Sequence, residues 1–288
     1  MIIKALVENT SVSEEYRCEH GLSLYIETEK HKLLFDVGQK DLFIENAGKM
    51  GVDLSLVDTL VISHGHYDHG GGLAEFMKIN DRAKIFVHAK AFEKHYSQRA
   101  EGVIADIGLD DSLEANNRLI YNNAYLKIDD ELELVSGIRG KELFSQSNKT
   151  LLMGNKIEAR MQGRAVNEVY GQLIEDDFEH EQSLIITEKG KCVLIAGCAH
   201  KGIVNIENHA ATLKRRAMNL VIGGFHLYNP SAKTTETPEL IVKIAEKLNA
   251  TGARYYTCHC TGQEAYSILK KAMNEKIYYL AAGSTIKT

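Results

Sequence analysis

No feature constrains this chain more than the run His64-Gly65-His66-Tyr67-Asp68-His69. It places four side chains that can bind metal ions within six residues, directly after the apolar run Thr59–Ser63, which we interpret as a buried strand. Imidazole and carboxylate groups suit zinc, iron or manganese, and a loop at a strand end can turn several of them toward one point. Glycines at positions 70–72 allow the backbone to turn tightly into a following helix. The sequence therefore predicts a metal site on a loop between a strand and a helix.

The elements around this loop predict a layered fold of strands and helices. Two strand pairs separated by short polar turns read as hairpins, Gly21–Thr28 with Lys32–Val37 and Ser183–Thr187 with Cys192–Gly197. Helical spacing recurs at 41–50, 73–79, 202–215, 238–249 and 262–273, and further strands are predicted at 84–88, 219–223, 254–258 and 277–281. Antiparallel strands in both halves, with helices between the later strands, favour a mixed α/β (α+β) sandwich with helices on both sheets.

The 288 residues are predicted to form one domain, 1–288, with an elaboration at about 101–177. Asn, Asp, Gly and Ser are frequent in that stretch, and its β runs are short, at Arg118–Ile128 and Glu131–Val135. We interpret it as an addition to the core that serves as a lid.

Further histidines follow the strands predicted in the second half. His200, His226 and His259 each lie just past one of these strands. Ligands of open α/β sheets gather outside the carboxyl ends of the strands, so these three side chains are expected to point toward one place. His180 precedes the second hairpin, and because a hairpin returns the chain to where it began, His180 is expected close to Cys198.

The sequence resembles the metallo-β-lactamase superfamily of metal-dependent hydrolases. The resemblance rests on His64-x-His66-x-Asp68-His69 after a hydrophobic strand and on Leu34-Phe35-Asp36-Val37-Gly38 upstream of it. The chain is similar in particular to the branch that contains archaeal dihydropterin ribofuranosyl-aminobenzene phosphate synthase and many uncharacterised bacterial hydrolases. Four further segments indicate that branch: Glu19-His20-Gly21-Leu22-Ser23, Gly197-Cys198-Ala199-His200, Gly223-Gly224-Phe225-His226-Leu227 and His259-Cys260-Thr261-Gly262. The resemblance covers nearly the whole chain and implies a four-layer αβ/βα sandwich, the metallo-β-lactamase fold.

The resemblance also implies two divalent metal ions. His64 and His66 would bind one ion, and Asp68 and His69 would bind the other. His259 matches the last metal-binding histidine of the family. We expect zinc, with iron or manganese as alternatives.

The middle of the chain departs from the family pattern. Many relatives have an aspartate that bridges the two ions, whereas this chain has Cys198 there and His200 two residues later. Either residue can take the place of that aspartate. His180 lies in the region of the family's middle histidine but lacks its usual flanking sequence.

The residues themselves suggest a mechanism. A divalent metal lowers the pKa of bound water to about 7, and two ions about 3.5–4 Å apart stabilise both the attacking and the leaving oxygen. Asp68 would orient that water or take its proton. Asp36 is interpreted as a carboxylate that holds a ligand histidine in its tautomer. His226 and His20 are candidates for polarising the substrate or protonating a leaving group.

The segment His259-Cys260-Thr261-Gly262 predicts a negatively charged substrate. It lies at the start of the helix predicted at 262–273, and the free N–H groups of a helix N-terminus bind anions. Gly262 allows close approach of the backbone to a ligand, and Thr261 can offer its hydroxyl. A phosphorylated or carboxylated small molecule is therefore expected. The alternative interpretation of this segment is that Thr261 and Glu264 close a capping box.

Composition limits the partners. The chain has 34 Lys and Arg against 39 Asp and Glu, a net charge of −5, which disfavours nucleic acid as a partner and therefore a nuclease. No run of 18 apolar residues predicts a transmembrane helix, and the N-terminus turns polar too early for a signal peptide. Five cysteines at irregular spacings favour a reducing cytoplasm. We expect a small-molecule substrate, neither nucleic acid nor membrane, and make no prediction of oligomeric state.

A metal-dependent hydrolase is the leading interpretation. A transferase similar to the archaeal synthase is the alternative. A diiron redox protein is a lower one, because such relatives usually have Glu in place of His66 and need a flavin domain that these 288 residues do not supply. A binding module with a decayed site conflicts with the intact motif. Phosphate esters, phosphodiesters, lactones and thioesters would all suit the same centre.

Overall fold

The structure is a computed structural model that describes residues 1–99, 102–157, 160–161, 164–165 and 169–288. The helices and strands of its first half are, in chain order, β1 (Ile2–Val7), β2 (Ser23–Glu27), β3 (Lys32–Phe35), α1 (Leu42–Lys49), β4 (Thr59–Val61), α2 (Tyr67–Gly70), α3 (Leu73–Ile79), β5 (Lys84–His88), β6 (His95–Gln98), β7 (Ile104–Asp106), β8 (Leu119–Asn122), β9 (Leu126–Lys127) and β10 (Leu132–Ser136).

The second half continues with β11 (Leu151–Ile157), β12 (Arg160–Met161), β13 (Arg164–Ala165), β14 (Val169–Glu175), β15 (Gln182–Glu188), β16 (Lys191–Ile195), α4 (Ile203–Lys214), β17 (Leu220–Gly223), β18 (Tyr228–Asn229), β19 (Thr234–Thr235), α5 (Pro238–Thr251), β20 (Arg254–Thr257), α6 (Gln263–Met273), β21 (Ile277–Tyr279) and β22 (Thr285–Lys287). Short 3₁₀ turns lie at Leu54–Leu56, Asp111–Leu113, Gln146–Thr150, His259–Thr261 and Asn274–Lys276.

Two seven-stranded sheets form the core of the described chain. The first has the order β22-β1-β2-β3-β4-β5-β8 and the second the order β21-β20-β17-β16-β15-β10-β9. Each sheet has a parallel part, β3-β4-β5-β8 in the first and β16-β17-β20-β21 in the second, and an antiparallel part. The carboxyl ends of the parallel strands carry the loops that matter for function.

Apolar side chains alternate between the two faces of each sheet and thereby build four layers. In β3, Leu33 and Phe35 face the second sheet, whereas Leu34 faces α1 and α3. In β17, Ile222 faces the first sheet, whereas Val221 packs against α4, α5 and α6. The order helix, sheet, sheet, helix is the predicted αβ/βα sandwich, and the fold class is confirmed.

Most element predictions agree with the structure. Both hairpins form, with Tyr25 opposite Leu34 in the first and Leu184 opposite Ile195 in the second. The predicted helices and the core strands outside the 101–177 stretch begin and end within two residues of the observed elements. Thr237 caps α5 by accepting a hydrogen bond from Leu240 N at 3.3 Å, just before Pro238 at the first helical position.

The stretch 101–177 is less separate from the core than expected. The predicted run Arg118–Ile128 divides into β8, an edge strand of the first sheet, and β9, which joins β10 in the second. Of the remaining strands, β7 and β11 pair with β6, which precedes residue 101, and β14 pairs with β11, which gives the order β14-β11-β6-β7. We call this four-stranded unit the third sheet. Strands β12 and β13 pair with each other in a separate two-stranded sheet. Residues 101, 158–159, 162–163 and 166–168 of the predicted elaboration lie outside the described residues.

None of the helices in the described ranges combines the length and the apolar character needed to cross a membrane. All five cysteines are free thiols, and Cys258 packs in the apolar layer between the two large sheets.

Candidate metal centre

The chemistry-bearing loops meet at one end of the sandwich. The His-rich loop follows β4 of the first sheet, and the loops with Cys198, His226 and His259 follow β16, β17 and β20 of the second. Together they form the floor of a cleft of about 590 Å³. Ser97 on β6 and Leu151 at the start of β11 add the third sheet to its wall.

Asp36 fixes the start of the His-rich loop. It follows β3, is fully buried and adopts φ +61°. Its Oδ1 accepts a hydrogen bond from Ser63 N at 2.7 Å, and its Oδ2 accepts from Ser63 Oγ and from His69 Nδ1, each at 2.7 Å. Asp36 is thus placed as expected of a carboxylate that holds a ligand histidine in one tautomer.

Four histidines share one hydrogen-bond pattern, in which Nδ1 faces an acceptor and Nε2 is left with its lone pair. The Ser63 hydroxyl donates to Asp36 and so accepts from His64, and Asn148 donates Nδ2 to His200 O at 2.8 Å, which turns its Oδ1 to the His200 ring. The Nδ1 contacts are His64 to Ser63 Oγ at 2.8 Å, His69 to Asp36 at 2.7 Å, His200 to Asn148 at 3.0 Å and His259 to Asn9 at 2.8 Å. This is the tautomer that binds a metal through Nε2.

The free ring nitrogens converge in pairs. His64 Nε2 lies 3.0 Å from His66 Nδ1, and His69 Nε2 lies 3.2 Å from His259 Nε2. Two lone pairs at such distances repel each other unless a proton or a cation lies between them. The donor sets therefore fit metal ions.

Cys198 links the two pairs. Its Sγ lies 3.2 Å from His69 Nε2. It forms one group with His64 and His200 and another with His69 and His259, and within each group the ligand atoms are all within 4.8 Å of one another. Both positions proposed as replacements for the family's aspartate thus lie at the centre, with the thiol in the middle.

Asp68 lies on the same floor, surrounded by imidazoles. Its Oδ2 is 3.2 Å from His20 Nε2, 3.3 Å from His259 Nε2 and 3.7 Å from His69 Nε2. Burial alone would raise the pKa of Asp68, but the charge of His69 and the hydrogen bond from His20 hold it well below its ordinary value. Asn9 Nδ2 lies 3.3 Å from His20 Nδ1, so His20 presents its Nε2 proton to the carboxylate.

The histidines differ in charge in a way that suits ligation. Burial, and secondarily the neighbouring histidines, lower the pKa of His64, His66 and His200 well below the ordinary value, so all three are neutral with free lone pairs. Burial also lowers the pKa of His69, but Asp36 and Asp68 outweigh it and raise that pKa to about 9. In the absence of metal, a proton on His69 thus stands where a cation fits.

His226 lines the cleft beside the centre. It is 6% exposed, and neither ring nitrogen has a hydrogen-bond partner within the described residues. Its ring lies 4.3 Å from that of His200, measured between centroids. Gly224 lets this loop pass close to Cys260, because a Cβ at Gly224 would lie 2.5 Å from the Cys260 sulfur. His226 thus lines the cleft, and its role toward a substrate stays a prediction.

The expectation that Thr261 and Gly262 meet an anion is wrong. Thr261 is fully buried, and its hydroxyl accepts a hydrogen bond from Phe225 N at 2.8 Å and bonds Thr257 Oγ1 at 2.5 Å. A Cβ at Gly262 would lie 2.7 Å from Tyr228 Cβ, so this backbone is packed against a side chain and does not border the cleft.

The alternative capping box is also absent. Gly262 is the N-cap of α6 and supplies no side chain, while Glu264 accepts a hydrogen bond from Thr235 Oγ1 at 2.6 Å. Thr261 and Glu264, the two partners of the predicted capping box, thus form hydrogen bonds with other residues instead.

His180, which the sequence analysis considered as the family's middle histidine close to Cys198, lies in another group. Its ligand atoms are within 4.8 Å of those of His66, His95 and Asp176.

Sequence reasoning missed several residues of the site, His95, Asp176, Asn9 and Asn148. The spacing of Asp176 and His180, four residues apart, is the one local signal for this cluster. Asn9 and Asn148 carry no sequence signal, because a lone asparagine is ordinary in any loop.

Comparison with known proteins relates the fold to a known superfamily. Residues 16–143 match the family model of the metallo-beta-lactamase superfamily. Residues 16–143 carry a metallo-β-lactamase superfamily domain. The solved structure of Tm1679, a metal-dependent hydrolase of the β-lactamase superfamily, superimposes with a TM-score of 0.78 at 28% identity, over 100% of this chain and 99% of that one.

Two curated proteins of Methanocaldococcus jannaschii are similar along nearly the whole chain. The 7,8-dihydropterin-6-methyl-4-(β-D-ribofuranosyl)-aminobenzene-5′-phosphate synthase is 27% identical over 282 residues, covering 93% of this chain and 90% of that protein. The uncharacterized protein MJ0448 is 28% identical over 276 residues, covering 95% of each.

Proposed function

We propose that this metallo-β-lactamase-fold protein is a hydrolase with a dinuclear metal centre that acts on a small anionic molecule. One observation carries the proposal: two groups of ligand atoms at the floor of an open cleft share a single residue, Cys198. A shared ligand between two sites is the arrangement that brings two ions close enough to act on one bond.

The ligands divide into two sets. His180 is left out, because its Nδ1 accepts a hydrogen bond from Gly65 N at 2.8 Å and its proton is therefore on Nε2. Imidazole with thiolate favours zinc, and the carboxylate keeps iron and manganese as alternatives. The first ion would be held by His64, His66 and His200, the second by Asp68, His69 and His259, and Cys198 would bridge them.

When bound, the ions supply Lewis acidity and a water molecule that is acidic enough to react near neutral pH. The side chains of the protein do the rest. Asp68 would orient the attacking water and accept its proton, with His20 Nε2 at 3.2 Å from the carboxylate. His226 lines the cleft beside the ligand set, without a hydrogen-bond partner for either ring nitrogen among the described residues, and would protonate the leaving group or polarise the substrate.

The anionic part of the substrate would meet Arg99. This residue follows β6 and is the one Lys or Arg among the described residues that line the cleft. An arginine guanidinium matches phosphate and carboxylate groups in geometry and charge. The anion site therefore moves from the helix start predicted from sequence to the third sheet.

Metal analysis combined with a substrate screen tests the proposal. We expect two equivalents of metal per chain and hydrolysis of at least one anionic ester among phosphate monoesters, phosphodiesters, lactones and thioesters. Protein that binds one ion or none after reconstitution, or that is inactive on every class, contradicts it.

Arg99 is tested by replacement with methionine, which keeps the length of the chain and removes the charge. We expect KM for an anionic substrate to rise by about tenfold or more, in line with the loss of one charge-assisted hydrogen bond, with kcat little changed. Arg82→Met, an exposed arginine outside the cleft, is the control. An equal effect on a neutral substrate would show that Arg99 does not read charge.

A transferase is the second candidate, favoured by the similarity to the archaeal synthase. It predicts that product formation requires an acceptor other than water, so turnover measured with and without a phosphorylated sugar donor and an aromatic acceptor separates the two. In either case we propose a cytoplasmic enzyme of small molecules, consistent with five free thiols and without nucleic acid or membrane as partner.

A further inference from the structure

A second buried cluster lies behind the His-rich loop. It joins His66 of that loop to His95 at the start of β6, Asp176 just after β14 and His180 just before β15. Each is at most 7% exposed. Two of the four, His95 and Asp176, come from the third sheet and its edge, which is otherwise outside the sandwich.

The protons in this cluster can be placed from the hydrogen bonds. His180 Nδ1 accepts from Gly65 N at 2.8 Å, so the ring carries its proton on Nε2, which lies 3.3 Å from Asp176 Oδ2. His95 Nδ1 lies 2.9 Å from the same oxygen and donates to it. Since a protonated nitrogen does not ligate, Asp176 is placed here by a hydrogen bond from His95 and a close contact with His180, and the arrangement is not another ion site.

Besides His180 Nε2, which has no hydrogen-bond partner among the described residues, two ring nitrogens of complementary kind remain. His95 is protonated on Nδ1, so its Nε2 is an acceptor, and it is buried without a partner. His66 turns Nδ1 toward His64 Nε2 at 3.0 Å, so a metal taken by Nδ1 leaves the proton on Nε2, which is also buried without a partner. The two rings meet edge to face, with centroids 5.6 Å apart.

The loop backbone is held from the same side. A Cβ on Gly65 would lie 2.2 Å from Ala91 O and 2.8 Å from His95 Nε2, so the loop lies directly against the His95 ring. The hydrogen bond from Gly65 N to His180 adds a second attachment. Both attachments lead to the same carboxylate, that of Asp176.

We propose that Asp176, acting through His95 and His180, is a positioning group that sets the tautomer and orientation of His66 as a metal ligand. The inference rests on the proposed metal centre and extends it, because it makes the third sheet responsible for the affinity of one ion. A carboxylate behind a ligand histidine commonly changes metal affinity by about 10- to 100-fold.

The test compares Asp176→Asn and His95→Phe with the wild type. The first removes the charge and one acceptor oxygen, and the second keeps a ring of similar size without nitrogen. We expect each to weaken one of the two zinc ions by about 10- to 100-fold in competition with a chelator, while the other ion keeps its affinity. The weakened ion must be the one that His66→Asn also weakens. Asp177→Asn, an exposed neighbour, is the matched control and should bind both ions like the wild type.

A structural role would give a different result. If both ions weaken equally and the metal-free variants also melt at lower temperature, Asp176 merely supports the fold and the inference is overturned. Unchanged affinity in either folded variant overturns it as well. A wild type that binds no zinc would instead contradict the proposed metal centre, so the two failures are distinguishable.

Discussion

The hydrogen-bond partners of single side chains decide what the centre can bind. His64, His69 and His259 have different acceptors at Nδ1, a serine, an aspartate and an asparagine, yet all present Nε2 to the same floor. His180 has a donor, Gly65 N, at the same ring position and so presents a proton. A histidine near a metal site is thus a ligand or a support according to one neighbouring atom.

Asp68→Asn should abolish hydrolysis and leave the fold intact. The amide keeps the size of the side chain but cannot accept the proton of water and is a poor ligand, so we expect less than a tenth of the wild-type rate, a barrier increase of more than about 1.4 kcal/mol. Steady-state rates, with metal content measured on the same sample, check this. At least one ion should remain bound.

The control is Asp81→Asn, which changes an exposed aspartate that does not line the cleft. If Asp68→Asn retains more than a tenth of the wild-type rate, Asp68 is not the carboxylate on which hydrolysis depends.

At the scale of elements, local patterns predicted what local forces determine. The apolar run before His64 and the two hairpins are set by alternation and turn residues, and these predictions agree with the structure. The start of α6 is set by contacts between residues that are distant in sequence. The Thr261 hydroxyl accepts a hydrogen bond from Phe225 N, and the Thr235 hydroxyl donates one to Glu264. No local pattern could predict these, and the anion site placed there was wrong.

The third sheet marks the same limit on a larger scale. His95 and Asp176 are 81 residues apart and meet only because β6 and β14 both pair with β11. Part of the chain that builds this sheet is irregular in sequence, so the sequence predicted four ligands in the His-rich loop but not the supports behind them.

The turn between β2 and β3 should make stability depend on pH. His31 lies between Asp58, at 2.9 Å, and Asp129, at 2.7 Å, and so ties the first sheet to the β9–β10 turn of the second. Burial alone would lower the pKa of His31, but the hydrogen bonds and charges of Asp58 and Asp129 raise it. The stabilisation is therefore complete below the unfolded-state pKa of about 6.5 and is lost as pH rises through the folded-state value.

His31→Gln measures this contribution. Its melting temperature should fall below that of the wild type at pH 6. The difference should shrink toward pH 9, because the neutral His31 ring of the wild type no longer forms ion pairs with Asp58 and Asp129. His209→Gln on α4 replaces a histidine without an ion pair to the described residues and should show no such trend. An equal difference in melting temperature at both pH values would show that the charge of His31 does not cause the stabilisation.

For the whole molecule, the proposed ions connect two halves of the chain. The His-rich loop belongs to the first sheet, whereas Cys198, His200 and His259 belong to loops of the second. The sandwich is already joined by a full apolar layer between its sheets. Metal is therefore expected to add stability to a structure that forms without it.

Removing metal with a chelator should lower the melting temperature and leave a folded protein. Ligand that binds only the folded state adds about 2.7 kcal/mol at a concentration of 100 times its dissociation constant. Calorimetry with and without chelator checks this, and circular dichroism should show unchanged secondary structure. The double variant His64→Asn/His259→Asn should respond much less to chelator. Equal melting temperatures in the wild type would show that no ion joins the halves.

Synthesis from the N-terminus adds the proposed ligands in a fixed order. His69 and His259, whose ring nitrogens face each other, are 190 residues apart. The set proposed for the first ion, His64, His66 and His200 with Cys198, is complete on a growing chain before His259 is added. We therefore expect the first ion site to be able to form earlier than the second, and a chain truncated just before residue 259 to lack one ligand of the second ion.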